Sequence, residues 1–279
     1  ASGVSVDLTL SGSAVNPDDY TLSSQTASFA ANSGDNTPFN ITLTTIDDNS
    51  VEAVEQATLT LDPGTVTGVA TVGNPNAHTV TFNDNDFATA VYTAAASSVN
   101  EGASGSITVQ LQTNGASLGL PITVELPISG SAQRGPDYNF SAPLNGTPLR
   151  VTFNVNEADP TRTLTLNAID DTLIEGNEFT VLGLTAVSGP VTVGNVNQHT
   201  ATLVDQDFAQ IAFGNGASSV TEGDAAQTIQ VLLLTNGATI VSGVSVDLTF
   251  SGSAVNPDDF TLSSQTASFA ANSGDNTPF

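Results

Sequence analysis

The side chains with chemistry to offer in this chain are carboxylates, and they are not scattered. Between residues 89 and 209 they include Glu101, Asp137, Asp170, Asp171, Glu175, Glu178, Asp205 and Asp207, placed at the ends of alternating apolar and polar runs. Successive antiparallel strands can bring such ends to one pole of a sandwich, where like charges repel unless a cation neutralises them. Calcium suits the pattern, because it takes about six to eight hard oxygen ligands in tolerant geometry. Magnesium suits it less, since it keeps several waters and a strict octahedron. The plainer reading of the same residues is solvation, with acids at loop ends keeping an acidic surface protein soluble.

Competing chemistries lack partners. Paired acids such as Asp170 and Asp171 can serve glycoside hydrolysis, but Trp is absent and aromatics make up 6% of the chain, so no aromatic-lined cleft is expected. Gly115-Ala116-Ser117-Leu118-Gly119 has the spacing of a hydrolase nucleophile elbow, yet it falls between two strand patterns rather than between a strand and a helix. His78 and His199 hold matching positions before the last strand of different repeats, and a structural role is expected for both. Asn40, Asn139 and Asn145 begin N-x-S/T sequons, which matter in a cell that glycosylates them. No catalytic residue is assigned.

Composition narrows the partners further. Acids number 28 against three arginines (Arg134, Arg150 and Arg162) and no lysine, for a net charge of −25. Phosphate binding needs a basic face, so nucleic acid is excluded as a natural partner, and anionic membrane surfaces repel the chain. Without Cys there is neither a disulfide nor a thiolate, and without Lys there is no lysine–asparagine isopeptide link. No apolar run approaches the ~20 residues of a membrane-spanning helix, so direct insertion by this span is not expected. Without Met there is no initiator residue, so the chain is expected to be a window from inside a precursor or mature protein.

The elements that must position the acids are strands. Ile107–Leu111, Ile122–Ile128, Val151–Val155 and Leu164–Ala168 alternate apolar with polar residues, many of them Thr. Further candidates are Ala90 to Val99, Phe179 to Leu184 and Thr200 to Val204, with turn signals at Asn114-Gly115, Arg134–Asp137, Asn145-Gly146 and Ser188–Pro190. About seven strands in some 120 residues predict an all-β, seven-stranded antiparallel β-sandwich of immunoglobulin-like type.

That unit repeats. Residues 2–39 return at 242–279 with changes only at Leu10/Phe250 and Tyr20/Phe260, an offset of 240. Inside it runs a shorter period: Asp84–Ala88 is echoed by Asp205–Ala209, and Val99–Gly102 by Val220–Gly223, each 121 residues on. The chain is therefore a tandem array of units of about 120 residues in two alternating flavours. Residues 1–88 form a unit lacking its first strands, 89–209 a complete unit, and 210–279 the N-terminal part of a third. The ragged ends also admit a second arrangement, in which molecules donate strands to one another.

The unit resembles a Calx-β domain. The matching pieces are Val99-x-Glu101-Gly102, Gly130-Ser131-Ala132-x-x-Gly135-x-Asp137-Tyr138, Ile169-Asp170-Asp171 with Glu175 and Glu178-Phe179, and Asp205-x-Asp207-Phe208. The resemblance implies a seven-stranded sandwich with calcium held at one tip, near the linker to the next domain. Carried over by position, the ligands in the middle unit are Glu101, Asp137, Asp170, Asp171, Glu175, Asp205 and Asp207, with Glu178 a weaker candidate. The first unit supplies Asp19, Asp47, Asp48, Glu52, Glu55, Asp84 and Asp86, and the third only Glu222 and Asp259. Two departures touch the first unit: Asn16–Asp19 lacks the glycine that precedes Asp137, and Gln56 stands where the family has an aromatic.

The function expected from this is structural. Near-identical repeats add reach without new chemistry, as in the stalks, fibres and matrix filaments of large extracellular proteins. Calcium at the tips would stiffen the array, and the partners would be neighbouring copies of the repeat, in one chain or joined end to end or laterally. The alternative is a calcium-sensing module of a membrane or signalling protein.

Overall fold

The computed structural model describes residues 2–141 and 148–279. The turn signal and sequon at Asn145-Gly146 lie outside the described residues. Apart from one 3₁₀ turn at Pro63–Thr65, the described elements are strands, as the period-two patterning requires.

In the middle unit one layer runs in the order Tyr138–Ser141, Thr161–Ala168, Ser104–Gln112, Ala88–Tyr92 and Val191–Val193. The facing layer has Ile128–Gly130, Glu178–Gly183, Gln198–Val204 and Ala96–Asn100, and a companion ladder of Arg150–Phe153, Ile122–Glu125 and Thr185–Ser188. Alternation sets the core: Ile107, Val109, Leu111, Leu164 and Leu166 from the first layer meet Ile122, Val124, Val151, Phe153, Leu182 and Leu203 from the second. The polar positions between them carry threonines that bond across strands, Thr108 with Thr163 at 2.9 Å and Thr123 with Thr152 at 3.1 Å.

Two expectations need correction. The run from Ala90 to Val99 is not one strand but two, Ala88–Tyr92 and Ala96–Asn100, lying in opposite layers. His199 clamps this crossover: Nδ1–H donates to Ala94 O at 2.7 Å, which leaves Nε2 to accept from the Ser97 hydroxyl at 2.8 Å. It stands inside the last strand, Gln198–Val204, rather than before it, and is buried there; His78 likewise lies inside Ala77–Phe82 but is exposed. The second correction is direction. Ala96–Asn100 pairs parallel with Gln198–Val204, and Val191–Val193 parallel with Ala88–Tyr92, so the sandwich is not purely antiparallel.

The first unit forms a sheet in the order Thr26–Phe29, Val4–Gly12, Glu55–Leu61 and Ala77–Phe82, with Tyr20–Leu22 paired to Leu43–Thr45. Tyr20 is buried and stacks on Phe82 at 5.3 Å between centroids. In the third, Gln210–Phe213, Val231–Leu234 and Thr277–Pro278 make one ladder, and Val244–Asp247 pairs with Thr266–Phe269. Two short parallel ladders join the units: Ser50–Val51 with Ser117–Leu118, and Leu173–Ile174 with Thr239–Ile240.

Candidate metal centre

The parallel edge pair is what brings the first acids together. With Val204 opposite Asn100, the strands leave the sheet side by side, and Glu101 N–H donates to Val204 O at 3.1 Å. Glu101 therefore meets Asp205 and Asp207, and one carboxylate oxygen of each lies within 4.8 Å of the others. An antiparallel pair would have sent these ends to opposite poles. Asp205 also fastens its surroundings, accepting from Asp207 N–H at 2.8 Å, Glu175 N–H at 2.9 Å and Gly176 N–H at 2.7 Å.

Asp137, Glu175 and Glu178 form a second group of the same tightness. Asp137 is presented by a closed turn, its own N–H donating to Gln133 O at 3.0 Å while its carboxylate accepts from Gln133 N–H. Tyr138 follows as a strand residue opposite Ala168, which sets Asp137 beside the paired acids. Asp170 and Asp171 join neither triplet. Asp171 accepts from Leu173 N–H at 2.7 Å and adds repulsion to both groups. The acids thus fall into two close groups that remain neighbours, Asp205 repelling Glu175 and Glu101 repelling Glu178.

In the first unit Asp19, Glu52 and Glu55 come within the same 4.8 Å. Asp19 closes its turn through Val15 N–H and Val15 O as Asp137 does through Gln133, without the missing glycine. Gln56 N–H donates to Ser13 Oγ at 3.0 Å, as Phe179 N–H does to Ser131 Oγ at 3.0 Å, so the aromatic is not needed for the backbone path. Asp47, Asp48, Asp84 and Asp86 line the same end but form no triplet: Asp47 takes Asn85 Nδ2 at 2.9 Å, Asp48 takes Ser50 N–H at 2.9 Å, and Asp84 takes Glu52 and Asp86 N–H. In the third unit Glu222 and Asp259 are both exposed and enter no group among the described residues. Asp259 caps the Val255 turn, accepting its N–H at 2.7 Å, a structural use that needs no ion.

The electrostatics record crowding. Burial, then repulsion from Asp205, Asp171 and Asp207, raises Glu101 against the pull of Gln206 N–H. Burial, then Asp137 and Glu175, pushes Glu178 up to about 7. Glu52, Glu55, Glu175, Asp86 and Asp207 are raised for the same two reasons, burial first and neighbouring carboxylates second. No arginine relieves either middle-unit triplet: the two ion pairs among the described residues are Arg150–Glu125 and Arg162–Glu157.

Glu101 carries the most direct sign of a ligand. Its Oε2 is buried with no hydrogen-bond partner, the one such side-chain atom among the described residues. A buried unpaired carboxylate oxygen costs several kcal/mol in general terms, and a hard cation between Glu101, Asp205 and Asp207 would satisfy it. The donor set is all oxygen and all anionic, which fits calcium chemistry. Sequence reasoning named these acids but missed the residues beside them that touch the next unit, Val51 and Ile174. Their signal was a β-branched residue immediately before Glu52 and Glu175.

The Calx-beta domain family matches residues 2–86, 90–207 and 205–277. No curated protein sequence matches the chain. Among solved structures, the apo-form Calx CBD1 domain is similar over 43% of this chain and 99% of its own, at 17% identity and a TM-score of 0.36. The calcium binding domain CBD12 of CALX1.1 is similar over 72% of this chain and 87% of its own, at 13% identity and a TM-score of 0.32. Domains 4 and 5 of the S-layer protein SbsC are similar over 71% and 76%, at 12% identity and a TM-score of 0.26. With three consecutive matches running along nearly its whole length, this chain belongs to the Calx-beta domain family, in tandem.

Proposed function

We propose that the chain is a non-catalytic repeat region of a large extracellular filament, matrix or adhesin-stalk protein, in which calcium at the acidic tips stiffens the array. Its units are those of residues 1–88, 89–209 and 210–279. The observation that carries the reading is position: in two consecutive units the acid groups lie beside the short strand that bonds to the following unit. Neutralising the tip removes the repulsion that raises Glu52, Glu101, Glu175 and Glu178, and so orders the loop from which that strand is made.

The ligand set is Glu101, Asp205 and Asp207 for one ion and Asp137, Glu175 and Glu178 for another, with Asp170 and Asp171 between them. Asp19, Glu52 and Glu55 repeat the second group in the first unit. The near-identity of residues 2–39 and 242–279 supports a filament over a sensor, since uniform length is what repetition provides. The partners are then neighbouring repeats. The site of the filament is extracellular in this reading, and no helix among the described residues is long and apolar enough to cross a membrane.

The test is calorimetric titration of metal-free chain with calcium, followed by small-angle scattering with calcium and with EGTA. Binding with a longer, less variable maximum dimension is the expected result. No calcium uptake in the millimolar range, or identical scattering in both conditions, overturns the reading.

A further inference from the structure

Val51 belongs to one unit by sequence and to the next by packing. It is wholly buried, and it joins the middle unit's core with Ala116 and Leu118 rather than the small core of its own unit. Its strand lies parallel to Ser117–Leu118, with Ser117 N–H donating to Asn49 O and Gly119 N–H to Val51 O, both at 3.0 Å. The receiving strand is fixed to its own unit on the other side, Leu118 N–H donating to Glu157 O at 2.9 Å and Asn156 N–H to Leu118 O at 2.8 Å. The chance hydrolase-like spacing at 115–119 is therefore the seat of an inter-unit contact.

The arrangement recurs one unit later. Thr239 N–H donates to Thr172 O at 2.8 Å and Val241 N–H to Ile174 O at 3.3 Å, and Ile174 packs on the third unit's core of Val231, Leu233, Ile240, Ala267 and Phe269. The receiver is pinned as before, with Asn272 N–H donating to Ile240 O at 2.8 Å and Ile240 N–H to Ser273 O at 3.1 Å. Behind each plug the loop is held by its own unit's carboxylates, Asp48 and Asp84 in one case and Asp171 and Asp205 in the other.

We propose that this loop is a directional plug: each unit completes the hydrophobic core of its successor, so a unit's stability depends on the docked tip of its predecessor. Withdrawing the plug opens the receiving core to water, whereas the donor loses no apolar core contact of its own. The coupling between neighbours in a repeat array thus acquires a direction. It rests on the tandem-array part of the proposed function, and not on the metal, because the contacts are apolar and backbone.

The test is hydrogen exchange on the full chain carrying Val51→Asp, with calcium present. Amides of Ser104–Gln112 and Thr161–Ala168 should lose protection by about thirtyfold, while those of Glu55–Leu61 keep theirs. Ile174→Asp should loosen Val231–Leu234 and spare the middle unit. Val69→Asp, at a fully exposed position of the first unit, should change nothing. Unchanged protection in the middle unit of Val51→Asp, or loosening confined to the first unit, overturns the plug. Calcium titration of the parent chain separates the two readings. A parent that takes up no calcium yet shows the directional loss removes the metal and leaves the plug standing.

Discussion

Glu101→Gln should change stability with opposite signs in the absence and presence of calcium. The substitution keeps the side chain's size and one oxygen to accept from Gln206 N–H, and removes the charge from a group whose carboxylates lie within 4.8 Å. Two like charges at that separation repel by about 1 kcal/mol at water's dielectric constant and by about 3.5 kcal/mol at the value suited to a protein surface. Glu101 faces two such neighbours, Asp205 and Asp207, and all three are only half-buried. Screening therefore brings the total relief to about 2 kcal/mol. In EGTA the variant should melt higher than the parent by roughly 4–8 °C. With saturating calcium the order reverses, because the parent gains about 2.7 kcal/mol at a hundred times its dissociation constant. The variant, one anionic ligand short, should bind about a hundredfold more weakly, so at the same calcium concentration it gains only about 0.4 kcal/mol. Scanning calorimetry of both proteins in both conditions is the assay. Equal destabilisation by Glu101→Gln with and without calcium would refute the reasoning, for it would make the carboxylate a structural acceptor rather than a strained ligand.

Three further outcomes follow from the same geometry. Glu178 ionises near 7 in the folded, metal-free protein against an ordinary value near 4.5, so the folded state holds its proton more tightly, and metal-free stability should fall as pH rises between those values. Calcium needs the carboxylate, so its affinity should rise over the same window; melting curves from pH 4 to 8 check both, and Glu178→Gln should flatten them. Gly130 has φ +136° and a Cβ there would lie 2.2 Å from Phe179 O, so Gly130→Ala should cost about 3 kcal/mol or more, whereas Gly252→Ala, with φ +122° and open space around it, should cost only about 1 kcal/mol of backbone strain; denaturant melts compare them. Tyr138→Phe removes the hydroxyl that bonds buried Thr180 Oγ1 at 2.9 Å and should lower stability by about 1–3 kcal/mol without changing calcium affinity.

The sequence placed acids at the strand ends of the middle unit, but how they group was not legible in it. All eight were expected at one tip by antiparallel logic. Glu101 reaches Asp205 because the edge strand Ala96–Asn100 pairs parallel with Gln198–Val204, a choice made by the chain switching layers at Thr93–Ala95. Nothing in the residues from Ala90 to Val99 announces that switch, since alternation is the same in either layer. The plugs were hidden for a related reason: among the described residues Val51 and Ile174 pack with the core of the following unit rather than their own.

The duplicated segment separates the two kinds of information. Val4–Asp7 with Thr26–Phe29 and Val244–Asp247 with Thr266–Phe269 form the same ladder in the same register, and Thr26 and Thr266 bond Asp7 and Asp247 at 2.6 and 2.7 Å. The turns closed by Asp19 and Asp259 are likewise the same. These contacts lie within a short stretch of chain, so sequence alone determines them. Leu8–Gly12 continues as strand because Ala57–Leu61 lies beside it, while its copy at 248–252 is not strand and pairs with nothing among the described residues. Tyr20–Leu22 pairs with Leu43–Thr45, and its copy at 260–262 pairs with nothing among the described residues. Conversely Thr277–Pro278 is strand against Val231–Leu234, although the same residues at 37–38 are not. Alternation makes a segment able to be a strand, and only a distant backbone that accepts its hydrogen bonds makes it one.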